Sequence, residues 1–115
     1  AFMMRSLQDA GVRLLFGSDA PVAPLDPWLA MAAAVHRSGD EREAWHPEQS
    51  LTVAETLACS VDGQRLAPGG RGDLVVLGDD PLRPCERPED ARSLLRGMPV
   101  LATVCAGRVT HRADP

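Results

Sequence analysis

Gly11-Val12-Arg13-Leu14-Leu15-Phe16-Gly17-Ser18-Asp19-Ala20-Pro21 is the stretch whose reading decides the fold. Four of the five positions from Val12 to Phe16 are apolar without alternating, which suits a strand buried on both faces, as in a parallel sheet flanked by helices. Before it, Phe2, Met3, Leu7 and Ala10 fit the last turns of a helix, and Gly11 fits its C′ position, where a left-handed backbone is cheapest. That helix has no cap of its own at the start, which leads us to expect a continuation upstream. After the strand, Gly17 and Ser18 permit a close backbone approach and Pro21 stops further pairing. Helix, glycine, buried strand, turn and helix form the rhythm of a wound α/β sheet or a β/α barrel. In such folds chemistry sits at the C-terminal strand ends, and Asp19 falls there. A carboxylate in that place can bind a divalent metal or carry a proton. It can equally cap the turn and do nothing more, and Gly-Ser-Asp alone does not separate the two.

Outward from this stretch, Leu25 to Gly39 predicts a helix. Asp26 is its N-cap, Pro27 sits at N1, Gly39 closes it, and Trp28, Met31, Ala32 and Val35 make one apolar face. Residues 40–50 are charged, carry Pro47, and predict a surface loop. Thr52-Val53-Ala54-Glu55 has capping-box spacing and opens a short helix to about Ser60. Between Asp62-Gly63 and Ala67-Pro68-Gly69-Gly70 there is room for a short strand. Leu74 to Leu77 is a strand stopped by Asp79-Asp80-Pro81, and Asp90 to Arg96 predicts a helical turn. Val100 to Cys105 and Arg108 to His111 are strands joined at Ala106-Gly107 as a tight hairpin. The front is thus α/β and the tail mostly β, dividing the chain into residues 1–62 and 63–115.

Bulk properties narrow the function. The 115 residues hold 44% hydrophobic and 24% charged residues, ordinary for one globular domain. The net charge of -4 argues against nucleic acid as a partner, since phosphate binding needs clustered cations. No apolar run approaches the roughly 18 residues of a membrane span and no signal pattern opens the chain, so we expect a cytoplasmic protein without a membrane partner. Cys59, Cys85 and Cys105 lack zinc-site or CxxC spacing and predict free thiols. All twelve basic residues are arginine. A Schiff-base, P-loop or bridging carboxylated lysine within the chain is excluded.

The run Phe16 to Val22 followed by Pro24-Leu25-Asp26-Pro27 resembles the end of the barrel in the amidohydrolase superfamily, most closely amidohydrolase family 3. Trp45-His46-Pro47-Glu48-Gln49, Leu51 to Leu57, Gly72 to Leu77 with Asp80-Pro81, and Val104 to Val109 match in the family's order, so the resemblance covers nearly the whole chain. It implies the C-terminal end of a metal-dependent hydrolase (β/α)8 barrel, residues 1–62, followed by part of a small composite β-sandwich, residues 63–115. It implies hydrolysis of carbon–nitrogen bonds other than peptide bonds by metal-activated water, on a small-molecule amide or related substrate. Asp19 matches the aspartate of the eighth strand, which in the family ligates or faces the metal and shuttles a proton to the leaving nitrogen. The cofactor implied is a divalent metal, zinc by preference, in the full-length protein and not held by this chain alone.

The chain departs from the family in lacking the His-x-His pair, the later strand histidines and any bridging lysine. The missing N-terminal barrel segment is therefore its first expected partner, and the fragment alone is expected to be inactive. The Ser60 to Gly72 linker is also shorter than the family's. Cut off from that segment, the face of Trp28, Met31 and Val35 is expected to be exposed. His36 reads as a helix-end cation or partly buried residue, His46 as loop packing with a lesser claim on substrate, and His111 as structural. Arg71-Gly72-Asp73 reads as a turn. The alternative function is a non-catalytic interaction module derived from the same scaffold.

Overall fold

The structure, a computed structural model, describes residues 3–38 and 42–114. Its elements are α1 (Met4–Asp9), α2 (Pro27–His36), a 3-10 turn (Pro47–Gln49), α3 (Val53–Ala58), β1 (Leu74–Leu77), α4 (Pro88–Arg96), β2 (Val100–Cys105) and β3 (Arg108–Arg112). The strands form one antiparallel sheet in the order β1-β2-β3. Mixed helix and strand is compatible with an α/β class; among the described residues there is no closed barrel and no second sheet.

The core lies between two helices far apart in sequence. On α2, Met31, Ala32 and Val35 are buried, and on α4, Ala91 and Leu95 meet them, with Trp28, Val53, Leu57 and Cys85 packed around the cluster. Met31 is 1% exposed and Leu95 0%. The apolar face of α2 is therefore covered, contrary to the exposure expected for it. Its cover is α4, which is a full helix of nine residues and not the single turn expected. Pro88 occupies N1, Glu89 and Asp90 complement the first turn and Arg96 the last. Arg87, just before it, donates from Nε and Nη2 to the two carboxylate oxygens of Asp90, each at 3.2 Å.

Asp26 caps α2 as expected, accepting the Trp28 N–H at 3.0 Å, with Pro27 at N1. The helix begins two residues after Leu25 and stops at His36, where Arg37 takes a left-handed φ of 60°. Gly39, expected to close it, lies outside the described residues. At α3 both capping-box bonds are present. The Glu55 N–H donates to Thr52 Oγ1 at 3.2 Å and the Thr52 N–H to Glu55 Oε1 at 2.8 Å. This helix ends at Ala58, two residues short of Ser60.

In the tail, Leu74–Leu77 and Val100–Cys105 match the expected strands, and β3 runs one residue past His111. Ala106 and Gly107, both at positive φ, make the tight turn, which suits the right-handed twist of the flanking strands. Gly72 is required beside it: a Cβ there would stand 2.8 Å from the Gly107 nitrogen. Asp73 Oδ1 accepts the Ala106 N–H at 2.8 Å, so Arg71-Gly72-Asp73 serves the hairpin. No strand forms between Gly63 and Ala67.

The main correction concerns Val12 to Phe16. This segment forms no strand, and Val12 and Leu15 are 46% and 62% exposed where burial on both faces was expected. The reason is pairing: a parallel strand needs neighbours along its edges, and the described residues offer none. Gly11 does behave as expected, at φ +86°. Its N–H donates to Gln8 O and the Val12 N–H to Leu7 O, both at 3.0 Å, which is a complete Schellman closure of α1.

Candidate functional site

Asp19 follows the open segment at a sharp turn. It holds a left-handed φ of 55°, its carbonyl accepts the Val22 N–H at 2.9 Å, and the Ala20-Pro21 bond within the turn is cis. Ser18 Oγ accepts the Ala20 N–H at 3.2 Å. Aspartate tolerates this backbone region better than most residues, yet a non-glycine residue there is uncommon. Its side chain is exposed and makes no hydrogen bond or ion pair among the described residues. The carboxylate that would have served as a turn cap does not cap.

Asp26 provides the contrast. Seven residues on, its carboxylate is spent on the start of α2. Beside it lies a hollow of about 220 Å³ lined by Gly17, Ser18, Asp26, Pro27, Ala30 and Ser60. The open segment runs along α2, with Phe16 and Gly17 beside Pro27 and Ala30. A second groove is walled by Leu14 to Gly17 on one side and by Ala30, Ala33 and Ala34 of α2, with Arg37 after it, on the other. Ser18, the residue before Asp19, thus shares a hollow with the first residues of α2.

Two of the histidines lie at the far end of α2 from that hollow. His36 ends α2, about 15 Å of helix away, with Nδ1 4.0 Å from Glu89 Oε2. His46 lies beyond that same end, its loop tied back by the Trp45 N–H to Arg37 O at 2.9 Å. Its Nδ1 is 2.9 Å from Glu48 Oε1 and its ring meets Trp45 edge-on at 4.9 Å. The Glu48 carboxyl is held below its ordinary value by its own backbone N–H and then by His46. The ring is thus engaged by its neighbours in the loop. His111 is exposed on β3.

No three His, Cys, Asp or Glu side chains converge on a metal position among the described residues. The cysteines are free thiols, and Cys59 is buried, with its thiol pushed up by burial and then by the charge of Glu55. A raised thiol is a poor nucleophile.

The strongest polar cluster is one the sequence did not disclose. Glu55, already in its capping box, receives Arg5 in bidentate fashion, with Nη1 to Oε2 at 2.9 Å and Nη2 to Oε1. Gln8 Nε2 adds a bond to Oε2 at 2.9 Å. The Arg5 guanidinium, then the Thr52 contacts, hold the Glu55 carboxyl down at about 2. Beside it, Ser6 and Gln49 exchange two bonds, at 3.0 Å and 2.8 Å. Glu55 was legible as a helix cap, but nothing in the spacing of two residues 50 positions apart announces a pair.

Comparison with known proteins bears on what this arrangement belongs to. The model of the amidohydrolase family matches residues 1–111. The chain belongs to the amidohydrolase family. It falls in the branch called family 3, as the resemblance of its motifs implied. A Bacillus subtilis (strain 168) protein named "Putative amidohydrolase YtcJ" is 28% identical over 95 residues, covering 70% of this chain and 18% of that protein. The chain thus spans less than a fifth of the length of the curated amidohydrolase relative it matches. No solved structure matches it. Membership makes this a hydrolase family protein, and no helix among the described residues is long and apolar enough to cross a membrane.

Proposed function

We propose that this chain is the C-terminal portion of a metal-dependent amidohydrolase that cleaves carbon–nitrogen bonds other than peptide bonds in small molecules. Residues 1–62 close its barrel, residues 63–115 build part of its sandwich, and Asp19 is its acid/base. The observation that carries this reading is the family match running through Asp19, whose carboxylate stands exposed at a turn with no partner among the described residues. A general acid/base must be reachable and uncommitted before it can serve a reacting group. The low coverage of the longer relative supports a site completed by other segments.

A catalytic zinc typically takes about three protein ligands. Asp19 is one carboxylate and no triad of ligating side chains forms around it among the described residues. The described residues do not by themselves fit a resident divalent metal, whose other ligands would come from elsewhere in the longer enzyme. What it contributes is a carboxylate able to hold a proton between an attacking water and a leaving nitrogen.

The test is Asp19→Asn in the longer enzyme, which keeps the side chain's shape and removes its basicity. Amine release from a panel of N-acyl amines should fall by about 10²–10⁴ in kcat with the melting temperature unchanged. A loss below tenfold would contradict the role of Asp19, and would favour a binding module on the same scaffold.

A further inference from the structure

α3 holds the Asp19-bearing segment at several points. At one end, Glu55 clasps α1 through Arg5 and Gln8, and Arg5 Nε also donates to Ser50 O at 3.3 Å. At the other end, the Cys59 carbonyl accepts the Phe16 N–H at 2.9 Å. Just past the helix, Asp62 Oδ1 lies 3.8 Å from Arg13 Nη2. Glu55 and Cys59 are four residues apart, hence on one helix face and about 6 Å apart along the axis.

These ties matter because the segment has few backbone bonds to hold its register. α1 buries no residue, so core packing does not locate it. The Phe16 bond is the one backbone–backbone bond that residues 13–18 make among the described residues. Phe16 is three residues from Asp19, a reach of at most about 11 Å. Whatever sets the register of α1 and Phe16 against α3 sets where the carboxylate of Asp19 arrives. Glu55 is suited to setting that register. Its two oxygens engage Arg5, Gln8 and the Thr52 N–H together, and a bidentate guanidinium pair fixes direction as well as distance.

We propose that Glu55 is a positioning residue that, through Arg5, sets the placement of Asp19. The proposal rests on the acid/base role of Asp19 for its catalytic consequence. Glu55→Gln removes the charge and keeps a capping acceptor; Arg5→Gln breaks the same pair from the other side and leaves α3 untouched. In the longer enzyme, each should lower kcat about tenfold with KM within twofold, since small misplacements of a reacting group are costly. The double variant should fall no further than either single. In the chain itself, amide exchange at Phe16 should rise at least tenfold in both variants while the α4 amides keep their rates.

Unchanged exchange at Phe16 in both variants overturns the positioning claim, as does unchanged kcat in an enzyme that Asp19→Asn disables. Should Asp19→Asn leave turnover intact while Phe16 exchange rises, it is the acid/base reading that fails.

Discussion

The two ends of the molecule satisfy their apolar residues differently. Around α2 and α4, Met31, Ala32, Val35, Ala91 and Leu95 bury one another, and the three-stranded sheet is paired within itself. Around α1 and residues 12–18, Leu7, Val12 and Leu15 stay exposed, and the contacts that hold the region are polar: Arg5 with Glu55, Ser6 with Gln49, Phe16 with Cys59. The α2–α4 core carries its own cover in this sequence, while the sheet still exposes Val75, Val76, Leu101 and Val109. The second region is held by polar contacts, and Asp19, the proposed acid/base, follows directly on it.

A matched pair of truncations would break or sharpen this contrast most strongly. Leu95→Ala, at a fully buried position, should cost about 3 kcal/mol in urea unfolding, from lost transfer energy plus a cavity. Leu15→Ala, at a position 62% exposed, should stay within about 0.5 kcal/mol. Equal costs would mean that the open segment is packed like the core. A smaller effect is expected from Thr52→Ala, which removes the acceptor of the Glu55 N–H and should cost about 1 kcal/mol in the same assay.

Acid should act on the front before the core. The folded Glu55 carboxyl, at about 2, lies below its ordinary value of 4.5, so its contribution is present above pH 4.5 and is lost as pH falls toward 2. Its side chain is 24% exposed, and solvent screening reduces that contribution to about 1 kcal/mol or less. Stability measured from pH 5 to 2 should therefore decline less steeply in Glu55→Gln than in the native chain.

Local rules were legible in the sequence where a signal and its effect sit within a few residues. Gly11 closing α1, Asp26 and Pro27 opening α2, the Thr52–Glu55 box and the Ala106-Gly107 hairpin all act over such spans. The α2–α4 contact was not legible, because Asp90 to Arg96 spells one turn unless Pro88 is counted as N1. The Val12–Phe16 pattern states a preference for burial in a sheet, and a strand exists only where neighbours pair with it. For the site, Asp19 was picked out by its place after an apolar run, whereas Arg5 and Glu55 meet only through the fold.

Zinc titration into the isolated chain, followed by calorimetry, addresses the central claim most directly: one carboxylate, Asp19, is offered here to a centre assembled elsewhere. We expect heats no larger than those of dilution, and the same from Asp19→Asn. A one-to-one isotherm of submicromolar affinity that Asp19→Asn abolishes would contradict the account, since the chain would then hold the metal by itself.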